Sequence, residues 1–419
     1  MRILLAVDTY PPDVNGAARF TERLANGLTA RGHEVHVAAP SYDGPEGIEM
    51  HGDVTVHRVV SYRWPFHEWY RVSLPWTARP ACAEIVRRVQ PDVVHVQAHF
   101  IVGRYVTYAA HQQGFPLVAT NHFMPENLFM HAKTPQWMED LARTLAWKDL
   151  QRVYGRAAAI TAPTPRAIEL LEQRTTLTGE PLSNGIDAHS YEDAAAAATH
   201  DPAVPSILFV GRLDGEKKVD ELIKAFAQLP ADRPAHLDLV GDGSCRDEWK
   251  KLVADLGIAD RVTFHGYISE EDLLAAYGRC DVFCMPGIAE LQSLVTLEAM
   301  AAGKPVVAAD AMALPHLVHP GENGYLFTPG NITELRDHLA TLVGDPELRE
   351  RYGRASHDIV SKHSFATTLD RFAEIYAEVL GVPLSVVTGE SGVPAEGADS
   401  GVPAALPRTD ADRVPAGER

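Results

Sequence analysis

Short apolar runs and amphipathic stretches alternate along most of the chain. Residues 3–7 are wholly apolar, and residues 93–96, 117–120 and 160–163 give three more runs of the kind expected of strands buried on both faces. Between residues 3–7 and the next apolar run at 35–39, Phe20, Leu24 and Leu28 fall on one helical face, and Gly32 ends that helix. Strand, helix, strand in this order predicts parallel strands with a right-handed crossover. A second series starts at 207–210 and continues through 237–240, 262–265, 282–285, 305–309 and 324–327, with helices expected over 221–229 and 332–343. Residues 136–153 read as an amphipathic helix carrying Trp137, Leu141, Leu145 and Leu150. A last helix, over 365–380, has Phe365, Leu369, Phe372, Ile375, Tyr376 and Val379 at helical spacing.

The pattern is therefore α/β, in two series. Ser183-Asn-Gly-Ile-Asp187 reads as a turn between them, which divides the chain into residues 1–187 and 188–364. An alanine-rich stretch over 193–201 reads as a linker or a short helix. In residues 383–419 the alternation stops. Ser391-Gly-Val-Pro-Ala395 recurs as Ser400-Gly-Val-Pro-Ala404 amid proline, glycine and acidic residues, so this tail is expected to be disordered. It holds the chain's one Asp-x-Asp, Asp410-Ala-Asp412, which reads as chance in such a tail.

The net charge of −18 argues against nucleic acid as a partner. Cys82, Cys245, Cys280 and Cys284 lack the paired spacing of a zinc site and point to a reducing compartment. Residues 3–7 are too short for a secretory leader and are cut by Asp8, and no window holds 18 apolar residues, so a cytoplasmic protein is expected. One segment departs from the acidic average. Residues 58–80 hold Trp64, Phe66, Trp69, Tyr70 and Trp76 among Arg58, Arg63, Arg71 and Arg79, against Glu68 alone. Such a mixture suits peripheral contact with an anionic membrane. The other reading is that the aromatics pack inside the first domain or line a pocket for a soluble acceptor.

The chemistry concentrates in residues 281–309, which read as strand, loop, helix, strand. Glu290 falls in the loop before the helix and Glu298 in its second turn. Between them, the amides of Ser293, Leu294 and Val295 should lack intrahelical partners, which makes an anion site at the positive end of the helix dipole. Arg212 and Lys217 follow the strand at 207–210, where open α/β sheets place ligands. On spacing alone, the bland readings are a solvated helix face for Glu298 and a solvated loop for Arg212 and Lys217. Gly16, after the first strand, is either a packing glycine or a place where backbone approaches a phosphate or sugar.

In its full context, Glu290-Leu-Gln-Ser-Leu-Val-Thr-Leu-Glu298-Ala-Met-Ala-Ala-Gly-Lys-Pro resembles the Glu-x7-Glu signature of glycosyltransferase family 4. That family is retaining and has the GT-B fold, two Rossmann-like doubly wound domains facing each other across a cleft. The resemblance spans about residues 1–382 and implies that the helix over 365–382 crosses back to the first domain. It implies a nucleotide-diphosphate sugar as donor, of the UDP-glucose or GDP-mannose kind, with no cofactor and no metal. Glu298 would hold the ribose and Glu290 the sugar hydroxyls. Arg212 and Lys217, which resemble the family's Gly-Arg and Lys motif, would hold the diphosphate. Lys218 stands where a glycine is frequent, which leaves the choice of lysine open. Gly241, Asp242 and Tyr267 would border the base. His122, in Thr-Asn-His, would lie near the sugar, and Gly16 would face the donor across the cleft. Within the family the motifs look nearest to diacylglycerol glycosyltransferases and phosphatidylinositol mannosyltransferases, so the acceptor is a lipid or a small polar molecule.

No Gly-x-Ser-x-Gly and no cysteine paired with histidine is present. That fits departure and attack on one face of the sugar, and leaves a covalent intermediate on Glu290 open. The alternatives are transfer to a soluble acceptor, a nucleotide-sugar epimerase or glycan phosphorylase of similar build, and a non-catalytic binding protein on the same fold.

Overall fold

The computed structural model describes residues 1–13, 15–63, 71–124, 136–197, 204–230 and 234–389. Trp64, Phe66, Trp69 and Tyr70, and the tail from residue 390 with Asp410 and Asp412, lie outside the described residues.

The apolar runs become strands of two separate sheets. In the first, Arg2–Ala6 lies between Glu34–Pro40 and Val93–Val96, parallel to both. Beyond Val93–Val96 come Leu117–Thr120, Ala159–Ala162 and the short Glu180–Pro181, all parallel. On the other side Val54–Val59 runs parallel to Glu34–Pro40 and pairs with an antiparallel edge strand, Gly47–His51. These last two strands escape the hydrophobic reading. The edge strand exposes its apolar residues Ile48 and Met50, so it carries no core signal.

The second sheet is wholly parallel. Its spatial order is Val262–Gly266, His236–Val240, Ser206–Val210, Val282–Met285, Val306–Ala309, Gly324–Phe327. The winding direction reverses between Ser206–Val210 and Val282–Met285, and in the first sheet between Arg2–Ala6 and Val93–Val96. Loops leaving the carboxyl ends of strands at such a reversal diverge and open a crevice between them.

Helix Gly16–Ala30 is capped by Asn15, whose Oδ1 accepts from the Ala18 amide at 2.9 Å, and it buries Phe20, Leu24 and Leu28. Helix Phe365–Leu380 packs on it. Leu369, Phe372, Ala373 and Tyr376 share one apolar cluster with Ile3, Leu5, Phe20 and Leu24. The approach is close: a Cβ on Gly27 would lie 2.7 Å from Leu369 Cδ1. The chain therefore passes between the two sheets twice, and the passages are bonded to each other. The Ile186 amide donates to the His363 carbonyl at 2.8 Å, and the Phe365 amide donates to the Ile186 carbonyl at 3.0 Å. Gly185 is left-handed here, and a Cβ would stand 2.6 Å from Phe365 Cα.

Two expectations change. Helix Gln136–Tyr154 forms, but Trp137, Leu141 and Leu145 are exposed, and the buried residues are Trp147, Leu150, Val153 and Tyr154. The inward face is set by its second half. The first residues of the stretch expected to be disordered are helical. After Gly381 turns the chain, a short helix, Leu384–Thr388, buries Val387 in the same cluster as Phe372, because a single apolar residue finds a seat there.

Phe372→Ala should loosen the crossing helix and destabilise the protein by about 3–5 kcal/mol, the usual cost of truncating a buried phenylalanine. Urea unfolding followed by circular dichroism checks this. Stability should also fall on acidification. Burial pushes His95 down to about 3, and His57, His99, His122 and His363 to about 4. In the unfolded chain these imidazoles protonate near about 6.5. The unfolded state therefore binds more protons from about pH 6.5 down to about 4, and stability drops as pH falls through that window, by at most about 1.4 kcal/mol per unit for each group. Asp8, raised by burial from 3.8 to about 6, and Asp13, also raised by burial, work the opposite way, but the imidazoles lowered by burial, His33 and His316 included, outnumber them. Urea midpoints at neutral pH and near about pH 5 give the sign.

Candidate active site

The crevice of the second sheet is built from loops that follow Ser206–Val210 and Val282–Met285. Backbone contacts fix them. Leu213 N donates to Asp242 O at 2.9 Å, and Gly241 N donates to Gly266 O at 2.9 Å. A Cβ on Gly241, which is left-handed, would lie 2.0 Å from Gly211 O, so only glycine fits. Lys217 ends a one-turn helix, Gly215–Lys217, and Ile288 N donates to Glu216 O at 3.1 Å. That bond seats the two loops together and brings Lys217 Nζ into contact with Glu290 Oε1. The side chains are only 17% and 11% exposed, so their attraction is little screened by water. Lys218 is left-handed, which explains why a glycine suits that position, and Lys217 is the lysine that reaches Glu290.

Arg212 does not join this pair. It is half-exposed, contacts Asp214, and donates from Nη2 to Glu216 Oε1 at 2.6 Å. It stands at the rim, held by two carboxylates of its own loop. Asp242 is engaged likewise, with Oδ2 2.9 Å from Arg246 Nη1 and Oδ1 accepting from Gly243 N at 2.8 Å. Tyr267 is 70% exposed, also at the rim.

Helix Leu294–Ala301 starts beside Glu290. Ser293 is its buried N-cap residue but makes no capping bond; its Oγ accepts from Thr296 Oγ1 at 2.8 Å instead. The amides of Ser293, Leu294 and Val295 donate to none of the described residues. Glu298 is not on a solvated face. It is buried, and its Oε2 accepts from the Tyr277 hydroxyl at 2.7 Å. Burial and the neighbouring carboxylate hold the hydroxyls of Tyr277 and Tyr191 far above the tyrosine range, so both stay donors. Arg23, from helix Gly16–Ala30 of the first sheet, feels the charge of Glu298 while burial works against its own, and its Nε is buried without a partner among the described residues. No pattern in the sequence signals Tyr277, Tyr191 or Arg23, because each lies on a helix other than the one that carries Glu298.

On the first-sheet side, Gly16 is exposed at the helix start, and a Cβ there would meet nothing within 4 Å. Packing therefore does not require that glycine. His122 follows Leu117–Thr120. Its Nε2 lies 2.8 Å from Gln97 Oε1, its ring centroid is 4.9 Å from that of Phe20, and burial keeps it neutral with a pKa of about 4. The Glu290 loop also reaches this half. Gln292 Oε1 accepts from Asn184 N at 2.8 Å, Gln292 Nε2 donates to Ser183 Oγ at 2.8 Å, and Leu291 O accepts from Thr164 Oγ1 at 2.9 Å. Nothing in the sequence singles out Gln97 and Gln292, since neither residue type announces a site.

The basic aromatic segment is less basic outside than its composition suggests. Arg58 is 5% exposed and its Nε donates to Glu49 Oε1 at 2.7 Å, because a cation on a strand of the sheet needs a buried partner. Arg63, Trp76 and Arg79 are exposed, and Arg71 Nε donates to Ser61 Oγ at 2.8 Å. Among the described residues no three histidine, cysteine, aspartate or glutamate side chains group as metal ligands, and no helix is long and apolar enough to cross a membrane.

Two family models match, Glycosyltransferase Family 4 over residues 14–190 and Glycosyl transferases group 1 over 192–358. The chain is 31% identical over 391 residues to a GDP-mannose-dependent alpha-mannosyltransferase of Mycolicibacterium smegmatis, covering 91% of this chain and 98% of that protein. It is 28% identical over 401 residues to the sulfoquinovosyl transferase SQD2 of Arabidopsis thaliana, covering 90% and 74%. Among solved structures, a sucrose-phosphate synthase of Thermosynechococcus elongatus superposes with a TM-score of 0.78 at 22% identity, over 91% of this chain and 99% of the other. Anabaena HepE bound to UDP and glucose gives 0.68 at 23%, over 90% and 100%. With two doubly wound sheets and matches across both, the chain belongs to glycosyltransferase family 4 and is a GT-B glycosyltransferase.

Proposed function

We propose that this enzyme moves a hexose from GDP-mannose or a UDP-glucose-like donor to a hydroxyl acceptor, with retention of anomeric configuration and without a metal. The observation that carries this reading is the partly buried contact of Lys217 with Glu290 beside three amides at a helix start that donate to none of the described residues. In the reaction the bond from the anomeric carbon to the diphosphate oxygen breaks, and negative charge grows on the leaving diphosphate. Lys217, Arg212 and the amides of Ser293, Leu294 and Val295 are a cationic and dipolar set for that charge, the role a divalent cation plays elsewhere. When a phosphate draws Lys217 away, Glu290 becomes free to accept from sugar hydroxyls. The acceptor oxygen then bonds to the anomeric carbon on the same face, and its proton passes to the departing phosphate oxygen. Glu298, with Tyr277 and Tyr191, suits the ribose hydroxyls. Gly241, Asp242 and Tyr267 suit the base, Gly16 the diphosphate from the facing domain, and His122 the sugar.

For the acceptor, the reading is a lipid headgroup hydroxyl reached by a cytoplasmic enzyme that docks peripherally on anionic membrane through Arg63, Trp76 and Arg79. The burial of Arg58 takes one cation from that surface and favours, to that extent, a soluble acceptor.

Incubation with UDP-glucose, UDP-galactose, UDP-N-acetylglucosamine and GDP-mannose, with lipid extract as acceptor, should release nucleoside diphosphate from one of them, and EDTA should leave the rate unchanged. Glu290→Gln should lower kcat by about 10²–10³, while Glu298→Ala should mainly weaken nucleotide binding. A reaction abolished by EDTA and restored by Mn²⁺ would reject the metal-free account, and a full rate for Glu290→Gln would reject the role of that carboxylate. For docking, sedimentation with anionic vesicles at low salt should capture the wild type. Arg63→Ala/Arg79→Ala should bind weaker by roughly tenfold or more, at about 1 kcal/mol per arginine. Absence of binding at low salt leaves the soluble acceptor.

A further inference from the structure

A buried line of hydrogen bonds runs from the crossing helix to His122. The Tyr376 hydroxyl lies 2.8 Å from His95 Nδ1. His95 Nε2 lies 2.7 Å from Thr120 Oγ1 and 3.0 Å from Gln97 Nε2. Gln97 Oε1 lies 2.8 Å from His122 Nε2. Tyr376, His95, Gln97 and Thr120 are all buried. Each hydroxyl and imidazole in this line can act as donor or acceptor. The Gln97 amide cannot: its nitrogen only donates, its oxygen only accepts, and neither titrates.

Gln97 therefore dictates the proton positions on both sides of it. With its nitrogen on His95, His95 Nε2 is bare and the proton sits on Nδ1, donated to the Tyr376 oxygen. With its oxygen on His122, His122 carries its proton on Nε2. The bond made by one ring nitrogen thus fixes the state of the other. His122 Nδ1 makes no hydrogen bond among the described residues, and the residue is partly exposed. His122 stands at the carboxyl end of Leu117–Thr120, against Phe20 of the helix that Gly16 opens.

We propose that Gln97 is a positioning residue that holds His122 as the Nε2–H tautomer, leaving Nδ1 to face the crevice as a hydrogen-bond acceptor. A sugar hydroxyl would then donate to His122 rather than accept from it. The kinetic consequence rests on the reading of His122 as a sugar contact; the tautomer does not. Rotation of the Gln97 amide by half a turn would reverse every assignment, placing the proton of His122 on Nδ1 and that of His95 on Nε2. The two arrangements are therefore distinguishable by experiment.

The test is long-range ¹H–¹⁵N correlation on the full chain labelled at histidine, with the His122 signals identified by their loss in His122→Gln. The wild type should show Nε2 protonated and Nδ1 bare. Gln97→Met, which removes both bonds, should give a mixture of tautomers. Gln97→Glu, whose oxygens accept from both rings, should keep Nε2–H on His122 and move the His95 proton to Nε2. In turnover, Gln97→Met should lower kcat by about tenfold or more with nucleoside diphosphate affinity unchanged, and Gln97→Glu should restore part of the rate. Protonated Nδ1 on wild-type His122 would overturn the proposal without any variant, as would an unaltered tautomer in Gln97→Met. A shifted tautomer with unaltered kcat would uphold the hold of Gln97 on the ring and instead remove the sugar contact.

Discussion

Two backbone hydrogen bonds, from Ile186 to His363 and from Phe365 to Ile186, tie together the two passages of the chain between its sheets. The geometry of the crevice depends on them. Each sheet can offer a ligand only the loops at one end of its parallel strands, and a bound molecule meets both sets only if those ends face each other. One flexible connection would leave the two halves free to rotate. Two bonded connections, with Gly185 pressed against Phe365, restrict the motion to a hinge. Gln292 extends the constraint from the hinge into the loop of Glu290 through Ser183 and Asn184. The loop carrying Glu290 is thus coupled to the connection about which the domains turn.

The electrostatics of the crevice oppose those of the whole molecule. The chain carries a net charge of −18, yet its crevice loops present Lys217 and Arg212 with a set of open amides, and helix Gly16–Ala30 adds Arg23. At long range the protein repels a nucleoside diphosphate, and salt weakens that repulsion. Inside the crevice the local set dominates, because burial removes the water that would screen it. In the free protein these cations are not idle. Glu290 engages Lys217, and Asp214 and Glu216 engage Arg212, so ligand binding exchanges partners rather than burying new charge.

Much of this is legible from residue patterning. The four-residue, mainly apolar runs at 93–96, 117–120 and 282–285 become strands at those positions, since strands buried on both faces are mostly apolar. Glu290 and Lys217 are visible because motif residues follow predicted strands, and they meet. The illegible parts share a cause. The edge strand Gly47–His51 exposes its apolar residues, so periodicity says nothing of it. On helix Gln136–Tyr154 two apolar faces compete, and only tertiary contact decides which turns inward. Arg58 reads as a surface cation until its partner Glu49 arrives from the neighbouring strand. Tyr376 and His95 are hydrogen-bonded across a separation of 281 residues, a relation no local spacing encodes.

The crossing helix also shapes how the protein is made. The central strand of the first sheet, Arg2–Ala6, completes its core only with Leu369, Phe372 and Tyr376. The second sheet draws all its strands from one continuous stretch, Ser206 through Phe327. During synthesis from the amino terminus, the half translated first must wait for residues 365–380, whereas the half translated second can close on itself earlier. The first domain thus carries an apolar stripe of helix Gly16–Ala30 uncovered while the whole second sheet is being translated, and it is the part of the nascent chain that most needs shielding until helix Phe365–Leu380 emerges.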